Sequence, residues 1–291
     1  MGLVTTILEG AIYGVSLGML YVLVATGLTL IFGMMEVVNF AHGAFVTMGA
    51  YIGLTTIEFT GNFWLAIVVA ALAVGLLGIF IERTLISRLY GADPIFQLLL
   101  TFGVALLLEG AIIVMYGEQN QRIEAPALLQ GDPIALGPAT IPQYRLFIIA
   151  FTGVLVLAIW LGIQRTKLGL IVKAGIEDRE RTAMLGIRLS RVNVLIMGVG
   201  SGLAALSGVL AAPILGITPH TGTGLLIISF AIIVIGGLGN IRGTITAGLL
   251  IGILFSVTQF VLPDLAGPSV FIAMAVVLLV RPQGLFGGAA A

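Results

Sequence analysis

Long apolar runs separated by short polar breaks dominate the chain. A helix needs about 20 apolar residues to cross the ~30 Å hydrocarbon core of a bilayer, and nine runs approach or reach that length. The runs are continuously apolar, which favours helices over the alternating strands of a membrane barrel. They are Ala11–Phe32, Gly43–Ile57, Phe63–Ile81, Ile95–Tyr116, Leu146–Ile163, Val192–Ala212, Leu225–Leu238, Thr244–Leu262 and Ser269–Val280.

Three of these runs, Gly43–Ile57, Leu225–Leu238 and Ser269–Val280, are short. A short run can be a re-entrant or half-crossing helix instead of a full span. The pattern therefore predicts an all-α polytopic membrane protein with about eight to ten transmembrane or half-crossing helices. No hydrophilic domain or flexible linker divides the chain, so residues 1–291 are predicted to form a single transmembrane domain.

The composition agrees with a membrane protein. Hydrophobic residues make up 59% of the chain and charged residues only 9%, whereas a soluble domain has roughly 25% charged residues. Glycine accounts for 40 of the 291 residues, and glycine lets helix backbones approach closely in a bilayer. The absence of cysteine excludes disulfides and thiolate metal sites. The zero net charge gives no indication of a nucleic-acid partner, and Glu9 before the first run argues against a cleavable signal peptide.

Basic residues are concentrated in one loop, at about residues 164–191. Cytoplasmic loops carry an excess of Lys and Arg, so this loop and the C-terminus are predicted to be cytoplasmic. Alternation leaves only Arg122 and Arg145 outside and predicts an extended, anionic outer loop at about residues 117–143. The N-terminus lies outside only if the second run truly crosses. The basic residues of the inner loop are Arg165, Lys167, Lys173, Arg179, Arg181, Arg188 and Arg191.

Two segments resemble each other weakly. Gly33–Gly53 and Ile235–Gly252 both read as the end of an apolar run, a short polar break with Asn, and a glycine-bearing new helix. Repeated broken helices are one indication of a translocation site in transporters. The alternative is a chance likeness between glycine-rich helix ends.

Several activities are disfavoured. No GxxxxGK[ST] motif occurs, so nucleotide hydrolysis on this chain is not expected, and energy would come from another chain or an ion gradient. No HExxH motif occurs, no Asp lies inside an apolar run, and the two histidines, His42 and His220, lie near the ends of runs. Intramembrane catalysis needs facing nucleophile and base side chains. No catalytic residue and no metal site are therefore predicted.

Few polar residues are candidates for a translocation pathway. Glu109 lies within the fourth run, about two turns from its outer end, where it has either a structural or a pathway role. Glu36, Asn39 and His42 lie in the break after the first run. A stand-alone secondary transporter or channel would use Glu109 or Glu36, whereas capping or packing is expected for His42.

The stretch AGIEDRERTAMLGI (Ala174–Ile187) is the densest charged segment of the chain. A helix from about Lys173 would place Glu177 four residues from both Lys173 and Arg181, in pairing distance. Gly186 can end this helix through a positive φ, and Ser190 can cap the next span. The segment is too polar to span a membrane. It is either a docking element or a solvated loop helix without a partner.

This segment resembles the EAA-like cytoplasmic loop of ABC importer permeases of the branched-chain amino-acid (LivH-type) family. VVNFAHGAFVTMGAY (Val37–Tyr51) resembles the N-terminal Asn-Phe-Ala-His-Gly segment of that family. VIGGLGNIRGTITAGLLIG (Val234–Gly252) and the ending VRPQGLFG (Val280–Gly287) resemble two further segments. Length and span pattern agree across essentially the whole chain.

The resemblance implies a non-catalytic permease subunit in a bacterial-type inner (plasma) membrane. It would pair with a homologous permease subunit, two ATPase subunits that bind ATP-Mg, and an extracytoplasmic substrate-binding protein, with no cofactor on this chain. Branched-chain or other hydrophobic amino acids are the expected cargo, with urea, short amides or other small solutes as the alternative. The implied ATPase-coupling positions are Ala174, Glu177, Asp178, Arg179, Arg181 and Gly186, and the candidate pathway positions are Asn39, His42, Glu109 and Asn240.

Overall fold

The computed structural model describes residues 3–137 and 139–287, and these are largely helical. Short 3₁₀ turns lie at Ile86–Leu89, Ala127–Leu129 and Pro263–Leu265, and a small hairpin pairs β1 (Ile134–Leu136) with β2 (Ala139–Ile141). The helices are α1 (Leu3–Met35), α2 (Ala41–Thr60), α3 (Phe63–Thr84), α4 (Pro94–Tyr116), α5 (Gln143–Arg165), α6 (Lys167–Glu177), α7 (Arg179–Met184), α8 (Leu189–Leu215), α9 (Thr221–Gly236), α10 (Ile241–Val261) and α11 (Ala266–Val280).

All nine apolar runs fall in helices, which confirms the all-α polytopic class. Within the described residues, seven helices are long and apolar enough to cross a membrane: α1, α3, α4, α5, α8, α10, and α11 together with the turn before it. Two further helices, α2 and α9, complete the nine. We call the end of the bundle that carries α6 and α7 the charged end, and the end that carries residues 117–142 the opposite end.

The second helix, α2, begins inside the bundle. After α1 ends, the chain turns at Glu36, a non-glycine residue with a φ of 54°. The backbone N–H of Phe40 donates to Oγ1 of Thr101 on α4 at 3.2 Å, and that hydroxyl donates to the carbonyl of Val38 at 3.1 Å. Thr101 lies seven residues after the start of α4. At 1.5 Å per residue, α2 therefore starts about 10 Å inward from the charged end of α4.

The ninth helix, α9, also begins inside the bundle. Residues 216–220 run inward after α8, and Ile217 forms a backbone bridge with Gln121. His220 then contacts Glu109 of α4, seven residues before the end of that helix at Tyr116. This places the start of α9 about 10 Å below the opposite end of α4. The 16 residues of α9 reach only from that depth to the charged end, so the predicted short run is a half-crossing helix.

Glycines allow helix backbones to touch at the centre of the bundle. A Cβ atom on Gly252 of α10 would lie 2.2 Å from the Cα of Gly18 on α1. A Cβ atom on Gly49 of α2 would lie 2.3 Å from the Cα of Ala205 on α8. Lipid tails give apolar helices no hydrophobic reason to associate, so close van der Waals contact is a main source of packing energy. These contacts join α1 to α10 and α2 to α8, and a Cβ on Gly27 of α1, which would lie 2.7 Å from the carbonyl oxygen of Gly200 on α8, shows that the two pairs also touch each other.

The first helix and the outer loop differ from the sequence expectations. The first helix is longer than Ala11–Phe32, because it begins at Leu3, continues through Glu9 and ends at Met35. The outer loop is not wholly extended, because it contains the β1–β2 hairpin and a 3₁₀ turn.

The two weakly similar segments lie side by side, since a Cβ on Gly33 would be 3.2 Å from the Cα of Gly239. The internal repeat itself stays a prediction.

The close contact at Gly252 predicts a stability effect. Gly252→Ala should destabilise the protein by about 1–3 kcal/mol, because the new methyl group meets backbone atoms that cannot move independently. Gly103→Ala in α4 is the control, because a Cβ there meets nothing within 4 Å. The measurement is the thermal unfolding midpoint of the purified protein in detergent. Equal midpoints for the two variants would refute the packing argument.

Candidate functional site

The helix α6 lies across the charged end of α1. The hydroxyl of Thr166 caps α6 by accepting the N–H of Gly169 at 3.1 Å. Val172 and Gly175 are buried, and a Cβ on Gly175 would lie 2.6 Å from Cε of Met34 in the last turn of α1. Of the proposed coupling positions, Ala174 lies in this helix and is partly buried. The α6 helix is therefore packed directly against the end of α1.

The charged segment forms two helices instead of the single helix expected from Lys173 onward. Asp178 ends α6 and begins α7, with extended φ and ψ of −155° and 101°. Its Oδ1 accepts the N–H of Arg181 at 2.9 Å, and its Oδ2 pairs with Nε of the same residue at 2.8 Å. The expected Glu177–Arg181 pair is wrong because the break puts the two residues on different helices. Lys173 donates to Gln164 and not to Glu177.

The exit from α7 follows the sequence more closely. Gly186 has a φ of 79°, which confirms the predicted glycine stop. The expected cap at Ser190 is wrong, because α8 begins at Leu189 with Arg188 at the N-cap position and without a side-chain cap. Ser190 is instead an exposed residue of the first turn of α8.

An apolar tip projects from α7. Met184 and Leu185 have 77% and 78% of their surface exposed, beside the exposed side chain of Arg181. The backbone of Arg179, the remaining coupling position, begins α7. The two adjacent side chains form a small exposed apolar patch beyond the spans.

A cleft of about 600 Å³ opens beside α6 at the charged end. It brings together Glu177 and Asn240, which the sequence had placed in separate groups. Arg242 also lines it and lies 5.9 Å from the ring centroid of Trp160. The remaining lining residues are Ile163, Gln164, Lys173, Ile176, Leu238, Gly239, Ile241, Phe286 and Gly287.

Asn240, which lines this cleft, joins the α9–α10 turn, the first turn of α10 and Phe286 through hydrogen bonds. Its Oδ1 caps α10 by accepting the N–H of Gly243 at 3.1 Å, and its Nδ2 donates to the carbonyl of Phe286 at 3.0 Å. Leu285 donates to the carbonyl of Ile235 at the end of α9, at 2.7 Å. The segment of residues 281–287, which we call the terminal segment, therefore closes the α9–α10 turn. The contacts of Asn240 here are structural.

Asn39 and His42 lie fully buried, away from both the cleft and Glu109. The Oδ1 of Asn39 accepts the N–H of Ala41 at 3.1 Å, and its Nδ2 lies 3.7 Å from the sulfur of Met197. His42 Nε2 lies 3.0 Å from the carbonyl oxygen of Val24 on α1. These contacts join the start of α2 to α1 and α8, in line with the packing role expected for His42.

Glu109 lies apart from the other pathway candidates and has a partner that the sequence reading missed. Nδ1 of His220, at the N-cap position of α9, donates to Oε1 of Glu109. Glu36 is exposed at the turn after α1, on a different element from Glu109 and His220. The available signal was the TPHTGTG stretch, in which Pro219 and two glycines surround a histidine between apolar runs.

Comparison with known proteins adds family information to this geometry. Residues 10–280 match the family model described as "Branched-chain amino acid transport system / permease component". The chain belongs to this permease family. It is 29% identical to the high-affinity branched-chain amino acid transport system permease protein BraD of Pseudomonas aeruginosa, over 96% of this chain and 95% of that protein.

Two further permeases support the assignment. LivH of Escherichia coli K12, a high-affinity branched-chain amino acid permease, is 29% identical over 94% of this chain and 93% of that protein. A probable branched-chain amino acid permease LivH of Methanocaldococcus jannaschii is 30% identical over 97% and 92% of the two chains. The matches span nearly the full length of each permease, and the family match over residues 10–280 includes the spans and the α6–α7 segment.

The Asp178 cap of this permease can be tested directly. Asp178→Ala should loosen α7 by about 1 kcal/mol, which corresponds to about fivefold faster amide exchange over residues 179–186. Asp178→Asn is the matched control, because Asn keeps the capping oxygen and removes only the charge. Hydrogen–deuterium exchange of the purified permease checks both. Equal exchange in the two variants would show that the cap does not hold α7.

Proposed function

We propose that this chain is the membrane-spanning subunit of an ATP-driven importer for branched-chain or other hydrophobic amino acids. Family membership and the named function of its relatives support the transport role. The chain carries no nucleotide-binding motif, so ATP-Mg would be bound and hydrolysed by two partner ATPase subunits. The chain itself would be non-catalytic and would carry no cofactor.

The observation that carries the coupling proposal is the ordered apolar tip of α7. Met184 and Leu185 are exposed on a short helix whose start is fixed by Asp178. A surface of this kind fits a groove on an ATPase subunit, with Arg181 at its edge. Movement of that subunit would pass through α6 to the end of α1 and, through Gly33 and Gly239, to the α9–α10 turn. The α6–α7 segment would thus convert ATPase closure into movement of the spans.

The distribution of basic residues supports an orientation. Arg83, Arg165, Arg188 and Arg242 all lie at helix ends on the charged end of the bundle. Under the positive-inside rule this end faces the cytoplasm of a bacterial-type inner membrane. The C-terminal segment, which lies beside the cleft, is then cytoplasmic too. A substrate-binding protein would dock on the opposite end, and a homologous permease subunit would complete the passage.

Experiments distinguish this proposal from two alternatives, a different cargo and a stand-alone transporter. Urea, short amides or other small solutes could share the same architecture, and a substrate panel on the reconstituted complex distinguishes them. A stand-alone secondary transporter would work without ATP. Uptake by the purified chain alone, driven by a proton gradient, would overturn the importer proposal.

The docking surface gives a matched pair of variants. Leu185→Asp should weaken binding of purified ATPase subunits at least about tenfold, because an apolar contact becomes charged. Leu128→Asp is the control: Leu128 is equally exposed, at 78%, but lies in the loop at the opposite end. Co-purification of the ATPase subunits and ATP hydrolysis by the purified complex are measured for both, because neither readout depends on the opposite end. Normal coupling with Leu185→Asp would refute the role of the α7 tip.

A further inference from the structure

The Glu109–His220 pair lies within the depth of the spans and yet is not enclosed. The His220 side chain is 68% exposed and that of Glu109 is 17% exposed. The pair lies about 10 Å inward from the opposite end of α4, by the rise of an α-helix. Ionisable side chains at such a depth are costly against lipid and usually face a water-filled passage or another protein segment. The pair therefore indicates that this face of α4 and α9 meets a water-filled passage or another protein segment.

The pair has unused hydrogen-bonding capacity. Nδ1 of His220 is bound to Oε1 of Glu109. Within the described residues, Nε2 of the imidazole and Oε2 of the carboxylate have no protein partner. The first N–H groups of α9 are occupied, since Gly222 donates to Thr47 and Thr223 donates to the carbonyl of His220. The free capacity therefore belongs to the two side chains and not to the helix terminus.

Apolar side chains continue the same face toward the charged end. On α4, Phe102, Leu106 and Glu109 are spaced four and three residues apart, so they share one side of the helix. On α9, His220, Thr223 and Ile227 share a side for the same reason. The side chains of Phe102, Leu106 and Ile227 are each about half exposed. A Cβ on Gly224 would meet nothing within 4 Å, which leaves space beside His220.

We propose that Glu109 and His220 form a subsite for the zwitterionic head of an aliphatic amino acid, with its side chain lying toward Leu106 and Ile227. The α-ammonium group would donate to Oε2 of Glu109. The α-carboxylate would accept from Nε2–H of His220, on the side of the imidazole ring away from Glu109. The adjacent placement of the two groups matches the adjacent charges of an amino acid. A neutral urea or amide satisfies neither charge, so the subsite selects between the two classes of cargo.

This inference rests on the proposed transport function and names the part of the cargo that the permease recognises. The test uses the reconstituted membrane complex in nanodiscs, without nucleotide and without the binding protein. Thermal-shift titrations give apparent dissociation constants for leucine, leucinamide, 4-methylpentanoate and isovaleramide. Leucinamide lacks the carboxylate, 4-methylpentanoate lacks the ammonium group, and isovaleramide lacks both. Leucine should bind at least about tenfold more tightly than each of the others, because each loses a charge-assisted hydrogen bond.

The variants separate recognition from a merely structural tether. Glu109→Gln should abolish the preference for leucine over 4-methylpentanoate and keep the preference over leucinamide. His220→Gln should do the reverse. Glu118→Gln, an exposed carboxylate just beyond the end of α4, is the control and should change neither preference. A tether alone would lower the unfolding midpoint of both variants without altering either preference, and that result would overturn the proposal.

The same preparation keeps the two proposals distinct. If leucine uptake into liposomes does not depend on ATP, the importer proposal fails, whatever the ligand preferences are. If uptake depends on ATP but wild type binds leucine and isovaleramide equally, the subsite fails while the importer stands. Unchanged ligand preferences in both Glu109→Gln and His220→Gln would also refute the subsite and leave the importer proposal standing.

Discussion

Backbone-to-backbone contact at glycine is the constraint on which this structure depends. In a bilayer, apolar side chains gain little by leaving lipid for protein, so helices must gain from close approach. The pairs Gly18–Gly252 and Gly49–Ala205 bring α1 against α10 and α2 against α8 at distances that a side chain on Gly252 or Gly49 would not allow. Once these four helices are fixed, α4, α5 and α11 surround them with exposed apolar faces. The abundance of glycine in the sequence is thus a packing requirement.

The same contacts permit helices that start part-way across. A helix that begins inside the bundle leaves its first N–H groups without backbone partners, and in an apolar medium each must find an acceptor. Thr101 accepts from Phe40 at the start of α2, and Thr47 accepts from Gly222 at the start of α9. Each of these two threonine hydroxyls thus provides the acceptor that a helix starting inside the bundle needs. The α9 start in turn brings His220 to Glu109.

Much of this fold could be predicted from the sequence, because the apolar runs depend on local composition alone. All nine runs are helical, and the glycine stop at Gly186 is where the residue type indicated. The break between α6 and α7 at Asp178 could not be predicted. The spacing of the charged residues favours one continuous helix, and it does not show that the Asp178 side chain caps a second helix instead. The depths of α2 and α9, and the Glu109–His220 pair, depend on contacts between residues far apart in the chain. Sequence periodicity carries no information about those.

The terminal segment has a consequence for how the bundle can move. Leu285 and Phe286 continue the backbone hydrogen bonding of the end of α9, and Asn240 joins Phe286 to the first turn of α10. Leu285 and Phe286 are thus part of a hydrogen-bonded cluster that joins the end of α9 to the start of α10. Separating the end of α9 from the start of α10 would break these hydrogen bonds, so the two helix ends are expected to move as one unit.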